Sequence, residues 1–323
     1  MRYRQIQAMR PLRLLVISAR YPTTDRPAAG AFVRDRLADP AVFPTVIAPT
    51  NYVSPGWRRY LAMTWAALSR RGAFDGVEGH FVLPSGAVAL LAARVRRLPL
   101  VVFAHGSDVR EIAHRGRAMR WLARRVIGGA DAVVANSEDT AAMVRAFGGD
   151  VVVVPPGIDR ARFTVLPRPA ARRVLYLGGA VSAKGVETAR SLADTLLGPG
   201  IREVDPAEVP ELLASHDVVL VPSQAEGFGL VAAEAIASGR WVVATDIGGL
   251  REVVRDGING TLVGDGDFGA ALSRVPDYDP EALAATAERF DIEGTWRGAR
   301  DVWERVLGRA DQRTTVEDDS GTQ

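Results

Sequence analysis

The chain has no cysteine, a single lysine, four histidines and no apolar run long enough to cross a bilayer. Without thiols it forms neither disulfides nor a thiolate metal site, which fits a reducing compartment and leads us to expect a cytoplasmic protein. No group of histidine or acidic residues has metal-ligand spacing, so no metal requirement is expected and no cofactor is implied. A spanning helix needs about 20 apolar residues. The basic start, MRYRQIQAMRPLRLLVISARYP, offers only a short apolar run followed by arginine and proline. It reads as a first strand, Leu12 to Ser18, rather than a signal peptide. Aromatic residues make up only 7%, and none interleave regularly with the basic ones, which argues against nucleic acid.

What is present is an ordinary soluble composition, 47% hydrophobic and 24% charged over 323 residues, enough for two domains with separate cores. Strand-like runs alternate with helical ones, the pattern of doubly wound α/β domains. The first half offers strands at Leu12 to Ser18, Thr45 to Ala48, Val101 to Ala104, Ala132 to Ala135 and Val151 to Val154. Prolines 155, 156, 167 and 169 then mark a linker over about 156–171. The second half restarts at Arg173 to Leu177 and continues through Asp217 to Val221 and Trp241 to Thr245. We therefore expect domains over 1–160 and 170–294, a terminal helix over 295–309, and a polar, acidic, disordered tail over 310–323.

The segment from Pro222 to Val263 carries the most chemistry. Glu226 and Glu234 stand eight apart, with Gly227-Phe228-Gly229 between them opening a short apolar helix at Leu230 that Gly239 ends. Glycines let backbone N–H groups approach a ligand, and a helix N-terminus favours an anion. Glu226 lies at the mouth of such a site. Glu234 lies about one turn inside, where a carboxylate accepts from paired hydroxyls. A strand and a second glycine turn, Gly248-Gly249, follow. The lone lysine, Lys184, sits just after a strand and a Gly178-Gly179 turn. An arginine-rich chain, written in the manner of a GC-rich genome, has kept lysine at one place. A compact point charge there is not replaceable by a planar fork.

Together with the PS before it and the T-D-x-GG-x-x-E and DG-x-NG-x-L-V runs after it, this segment resembles the nucleotide-sugar site of the family 4 glycosyltransferases. These are retaining enzymes of the GT-B fold, two Rossmann-like doubly wound parallel-sheet domains facing a cleft. The run from Tyr21-Pro22 to Gly30-Ala31-Phe32-Val33-Arg34 is similar to the family's first glycine loop. The runs around Phe103-Ala104-His105-Gly106-Ser107-Asp108, Asn136-Ser137-Glu138 and Pro156-Gly157-Ile158-Asp159 match as well.

The resemblance implies a UDP-, GDP- or dTDP-sugar donor bound by Gly30, Gly178, Gly179, Lys184, Glu226, Gly227, Phe228, Gly229, Leu230 and Glu234. Lys184 would hold the diphosphate, Glu234 the ribose and Glu226 the sugar. His105, at the carboxyl edge of a strand, would act near the reacting centre, so His105, Lys184 and Glu226 are the catalytic candidates. Arg34 and Asp108 are acceptor-side candidates, Asp108 either meeting the acceptor or orienting His105. His80, His114 and His216 read as structural histidines. Such a bacterial enzyme would serve carbohydrate or natural-product biosynthesis, on a lipid-linked or polysaccharide intermediate or a small metabolite.

Two departures stand out. Gly179 occupies the place where the family carries an arginine beside its lysine, so restoring arginine is expected to tighten diphosphate binding unless Arg202 or Arg34 already reaches in. Between Lys184 and Pro222 about thirty residues are missing, with Leu196 to Ile201 as a remnant. They motivate the alternative of a degenerate transferase serving as a scaffold. A dinucleotide oxidoreductase is excluded, because no G-x-G-x-x-G follows a first strand. Epimerases of the same fold do not carry the Glu226/Glu234 block in this form. Finally, Arg94, Arg96 and Arg97, and Arg115 to Arg125 interleaved with Met119, Trp121, Leu122 and Val126, form basic groups. The second is either a helix lying on an anionic membrane, placing the protein peripherally at the inner face, or a solvated face over a buried stripe.

Overall fold

In the computed structural model, which describes residues 10–49 and 56–320, two parallel sheets carry the chain. The first domain runs β1 (Leu12–Ser18), α1 (Ala31–Leu37), β2 (Val42–Ile47), α2 (Gly56–Ser69), β3 (Gly76–His80), α3 (Ser85–Arg96), β4 (Leu100–Ala104), α4 (Ser107–Ala113), α5 (Arg117–Ile127), β5 (Ala132–Ala135), α6 (Glu138–Arg145) and β6 (Val151–Val153). The second runs β7 (Val174–Tyr176), α7 (Val186–Leu192), β8 (Thr195–Leu196), α8 (Val209–Ala214), β9 (Val218–Val221), α9 (Leu230–Ala237), β10 (Trp241–Thr245), α10 (Leu250–Val253), β11 (Gly260–Val263), α11 (Phe268–Ser273) and α12 (Pro280–Ala285). A long helix, α13 (Ile292–Ser320), follows.

The first sheet is ordered β2-β1-β3-β4-β5-β6 and the second β11-β10-β9-β7-β8, all neighbours parallel. Strands such as Leu100–Ala104 and Val218–Val221 are buried along their whole length, as β-branched runs covered on both faces must be. Strand order reverses between β1 and β3 in one domain and between β7 and β9 in the other. The crevice outside the carboxyl ends at such a reversal is where open α/β sheets take ligands.

Helix α13 starts beside the second domain and packs on the first. Trp296 Nε1 donates to the Asp35 carbonyl (3.0 Å), Arg300 pairs with Asp39 (2.6 Å), and Trp303 is fully buried. The helix continues to Ser320, where the composition leads us to expect a disordered tail from Ala310; residues 321–323 lie outside the described residues.

Strand β3 is absent from the sequence reading, and its composition explains why. GVEGH has two glycines and a glutamate, none of them strand formers. A Cβ on Gly76 would collide with the Trp303 ring, so glycine is there to let the indole lie on the sheet. Strand β11 is also missing from that reading, and β2 begins three residues earlier than expected, through Pro44. The short span after Lys184 leaves β8 as a two-residue edge strand on β7.

Candidate active site

Residues from both reversal points line one cavity of about 590 Å³ between the domains. From the second domain come Lys184, Glu226, Gly227, Phe228, Gly229 and Leu230; from the first, His105, which the sequence nominates, and Arg20, Phe32, His80, Phe81 and Arg110, which it does not. Lys184 follows β7 and Glu226 follows β9, so one lysine and one carboxylate converge from adjacent strand ends. Lys184 Nζ lies 2.6 Å from Glu226 Oε2, which also accepts from Ser223 Oγ (3.2 Å). The single lysine of the chain is thus paired with the glutamate at the neighbouring strand end.

Gly229 takes a left-handed conformation (φ 97°) and begins α9. Phe228 turns its ring away from the cavity edge into the core, where it meets Phe290 edge-on with ring centroids 5.2 Å apart. Glu234, one turn into α9, does not line this cavity, and its carboxylate has no hydrogen-bond partner among the described residues. Burial drives its carboxyl up to about 7, with Arg162 opposing and Asp35 adding to the rise. The residue as a whole is only partly buried, so the carboxylate is sunken without being sealed from solvent.

His105 is the end of a buried chain. Its Nε2 lies 3.1 Å from His80 Nδ1, and His80 Nε2 lies 2.9 Å from Glu78 Oε1. Glu78 Oε2 accepts from Arg36 Nη2 (2.8 Å) and from Trp303 Nε1 (3.1 Å). Burial opposes a charge on Glu78, but Arg36, His80 and Trp303 outweigh it and hold the carboxyl below its usual range. Burial also holds His80 below its ordinary value, and His105 well below, with His80 and Arg20 adding to the effect on His105. Both rings are therefore neutral near pH 7. The ionised Glu78 requires the proton of His80 on Nε2, leaving Nδ1 to accept from His105 Nε2–H. His105 is left with a bare Nδ1 acceptor, its ring clamped between Phe32 and Phe81 at 4.7 and 4.6 Å. His80 is a buried histidine satisfied at both ring nitrogens, as expected, and one of its partners is His105. The sequence signal was its place two residues beyond a buried glutamate on one strand face.

The remaining candidates lie around this cavity. Gly30 and Asp108 line an adjoining one of about 850 Å³, which shares Arg20, Phe32, Phe81, Ser107 and Glu111 with the first. The two oxygens of Asp108 accept from the backbone N–H groups of Val82 (2.6 Å) and His105 (3.0 Å). Of its two nominated roles this geometry is that of holding the His105 backbone, its carboxylate being occupied. Arg34 pairs with Asp35 (2.8 Å) beside a third cavity, and Arg202 pairs with Glu208 (3.1 Å); neither joins Lys184.

Gly178 and Gly179 sit behind Lys184, and here the expectation of a vacancy fails. Gly179 has φ 69°, and a Cβ on it would collide with the Pro199 backbone. Its N–H donates to the Leu197 carbonyl (2.9 Å) and that of Ala180 to the Pro199 carbonyl (2.7 Å). The shortened loop has closed over the place where an arginine side chain would stand.

The domains meet glycine to glycine. A Cβ on Gly227 would strike the His105 carbonyl, and one on Gly106 (φ 89°) the Gly227 backbone. Glu252 of the second domain accepts from the N–H groups of Glu138 (3.1 Å) and Asp139 (3.2 Å) at the start of α6. No group of His, Cys, Asp or Glu among the described residues could hold a metal ion.

Comparison with known proteins adds the following. Residues 7–162 match the model of "Glycosyltransferase Family 4" and residues 163–289 that of "Glycosyl transferases group 1". A protein named D-inositol 3-phosphate glycosyltransferase from Geodermatophilus obscurus is 35% identical, the match covering 70% of this chain and 64% of that protein. The chain thus spans less than two thirds of that relative. One of the same name from Nocardioides sp. is 33% identical, over 76% of this chain and 70% of the relative. The crystal structure of Anabaena HepE in complex with UDP and glucose superimposes with a TM-score of 0.69 at 19% identity, over 91% of this chain and 100% of that one, which shows the GT-B fold.

Proposed function

Since the chain belongs to glycosyltransferase family 4, we propose that it transfers a sugar, with retention of anomeric configuration, from a nucleoside-diphosphate donor to a hydroxylated acceptor. The observation that carries the reading is the convergence in one cleft of Lys184, Glu226 and His105, with the unpartnered Glu234 one turn into the adjoining helix α9. HepE holds UDP and glucose, so a uridine nucleotide is the first donor to test. The relatives' name makes an inositol phosphate one acceptor to screen.

On this reading the diphosphate draws Lys184 away from Glu226, neutralising the leaving group and freeing Glu226 to accept from sugar hydroxyls. The start of α9 adds backbone N–H groups and the positive end of its dipole. Glu234 accepts from the ribose. Nδ1 of His105 accepts from a donor hydroxyl near the reacting carbon, its orientation set by the His80–Glu78 chain. The bond from the anomeric carbon to the phosphate oxygen breaks, and that oxygen takes the acceptor's proton as the acceptor attacks from the same face. Such a step needs no side-chain base. Gly179 no longer argues for a degenerate protein, because its place is filled rather than emptied.

Thermal shift with UDP, GDP and dTDP, followed by mass-spectrometric detection of donor hydrolysis, tests the reading. A nucleotide at 100 times its Kd adds about 2.7 kcal/mol. Lys184→Ala should abolish turnover and weaken the bare diphosphate, and Lys184→Arg should restore only part of either. Absence of any shift at millimolar nucleotide refutes the proposal.

A further inference from the structure

Helices α2, α3 and α5 pack side by side on one face of the first sheet, α2 on α3 and α3 on α5, and Arg96 of α3 donates to the carbonyls of Ala67 (2.9 Å) and Leu68 (3.2 Å) at the end of α2. On α2 the side facing the sheet is Tyr60, Met63 and Ala67. The opposite side is apolar too: Trp57 is 63% exposed, Leu61 61%, Trp65 73% and Leu68 38%. At 100° per residue these four fall within an arc of about 80°. Trp121 on α5 (57%) and Leu91 and Val95 on α3 (44% and 63%) are exposed on the helices packed beside it. Seven of the twelve large apolar side chains exposed among the described residues therefore sit on these three helices. A soluble surface scatters such residues singly; gathered, they mark a contact.

The charge on the same helices is of one sign. Two arginines on α2, two on α3 and four on α5 face no acidic residue on any of the three. Arg94, Arg117, Arg120, Arg124 and Arg125 have no ion-pair partner among the described residues. Arg58 and Arg125 lie over the rings of Trp57 and Trp121, each 5.2 Å from the centroid. Indoles beside guanidinium groups, with no carboxylate between, match the boundary of an anionic bilayer: rings enter the headgroup layer while arginines meet phosphates. No helix among the described residues is long and apolar enough to cross a membrane, so the contact is a peripheral one.

We propose that the α2–α3–α5 face docks on an anionic lipid surface. The cavity of about 850 Å³ that adjoins the His105 cleft is lined in part by Arg59 and Tyr60 of α2 and Met119 of α5. It shares Arg20, Phe32, Phe81, Ser107 and Glu111 with the His105 cleft, so an acceptor held in it would lie against that cleft. That extension rests on the transferase reading; the docking itself does not.

The test is flotation of the full chain with vesicles of phosphatidylcholine alone or mixed with phosphatidylglycerol. Binding to the mixed vesicles only, weakened by salt and accompanied by a blue shift of tryptophan fluorescence, is expected. Trp57→Ser/Trp65→Ser and Arg120→Glu/Arg124→Glu should each lose roughly tenfold or more of the partitioning while keeping the parent's nucleotide-induced thermal shift. The nucleotide shift is read independently, so its absence refutes the transferase reading and leaves the docking result standing. The proposal is overturned if the parent ignores phosphatidylglycerol vesicles at low salt, or if both double variants bind as the parent does. It is equally overturned if gel filtration shows a dimer that the tryptophan substitutions dissolve, since a second copy then covers the face.

Discussion

Replacing Glu234 by glutamine removes a charge that burial disfavours and that, on the proposed reading, the donor-bound protein uses. Its carboxyl is raised from 4.5 to about 7, with burial the leading cause. Each unit is worth 1.36 kcal/mol, so the shift corresponds to about 3 kcal/mol, or about 2 once the partial exposure of the residue is allowed for. The folded state binds this proton more tightly than the unfolded one, so between about pH 4.5 and 7 folding takes up a proton and stability falls as pH rises. Glutamine is neutral throughout. Urea unfolding should therefore find parent and Glu234→Gln alike near about pH 4.5, and the variant more stable by about 2 kcal/mol near about pH 8. Binding reverses the order. Ribose hydroxyls donate to the ionised carboxylate, so UDP should release a proton from the parent near neutrality and bind more tightly as pH rises. The variant should bind UDP more weakly by about 1.5–3 kcal/mol above neutral pH, with no proton release. Calorimetry in buffers of different ionisation enthalpy reads the proton directly. Stability curves that stay parallel across this range, or UDP binding without proton release in the parent, refute the assignment.

Gly179→Arg should destabilise rather than tighten diphosphate binding, because a Cβ there meets Pro199 and the backbone is left-handed; a lower unfolding midpoint with unimproved UDP affinity is the expected result. Glu78→Gln should lower kcat about tenfold or more while leaving the Kd for UDP unchanged, since an amide has one acceptor oxygen for the donors His80, Arg36 and Trp303 and no longer fixes the His80 tautomer that orients His105. Arg36 loses its charged partner in that variant, so Trp303→Phe, which removes the indole N–H together with part of the ring packed on Gly76, serves as a second check with its unfolding midpoint read alongside, and unchanged kcat in both variants refutes the relay.

The second-domain side of the cleft was legible because its residues are local: Glu226, Gly227 and Gly229 lie within one strand–turn–helix, and Lys184 stands out by composition. The two-domain alternation was legible for the same reason, apolar runs at regular spacing. The His105–His80–Glu78 chain was not, because its parts belong to β3 and β4 and its anchor, Trp303, is 225 residues from Glu78. Pattern reasoning also passed over β3, whose glycines are explained only by what packs on them. The filled place beside Gly179 was misread for a related reason: a missing side chain looks like a gap until the fold shows which loop has moved into it.

Helix α13 has a consequence for how this molecule is to be taken apart. Residues before the proline linker and residues after Asp291 build one hydrophobic body, with Ala299, Val302, Trp303 and Val306 in the same core as Leu14, Val16 and Phe103. The second domain is therefore an insertion between two pieces of the first. A chimera made to change the sugar donor by joining a foreign second half at the linker would strip the recipient of its own last helix and of the indole that holds Glu78. Recombination has to cut twice, at the linker and again ahead of Ile292, so that the exchanged cassette leaves the recipient's core intact.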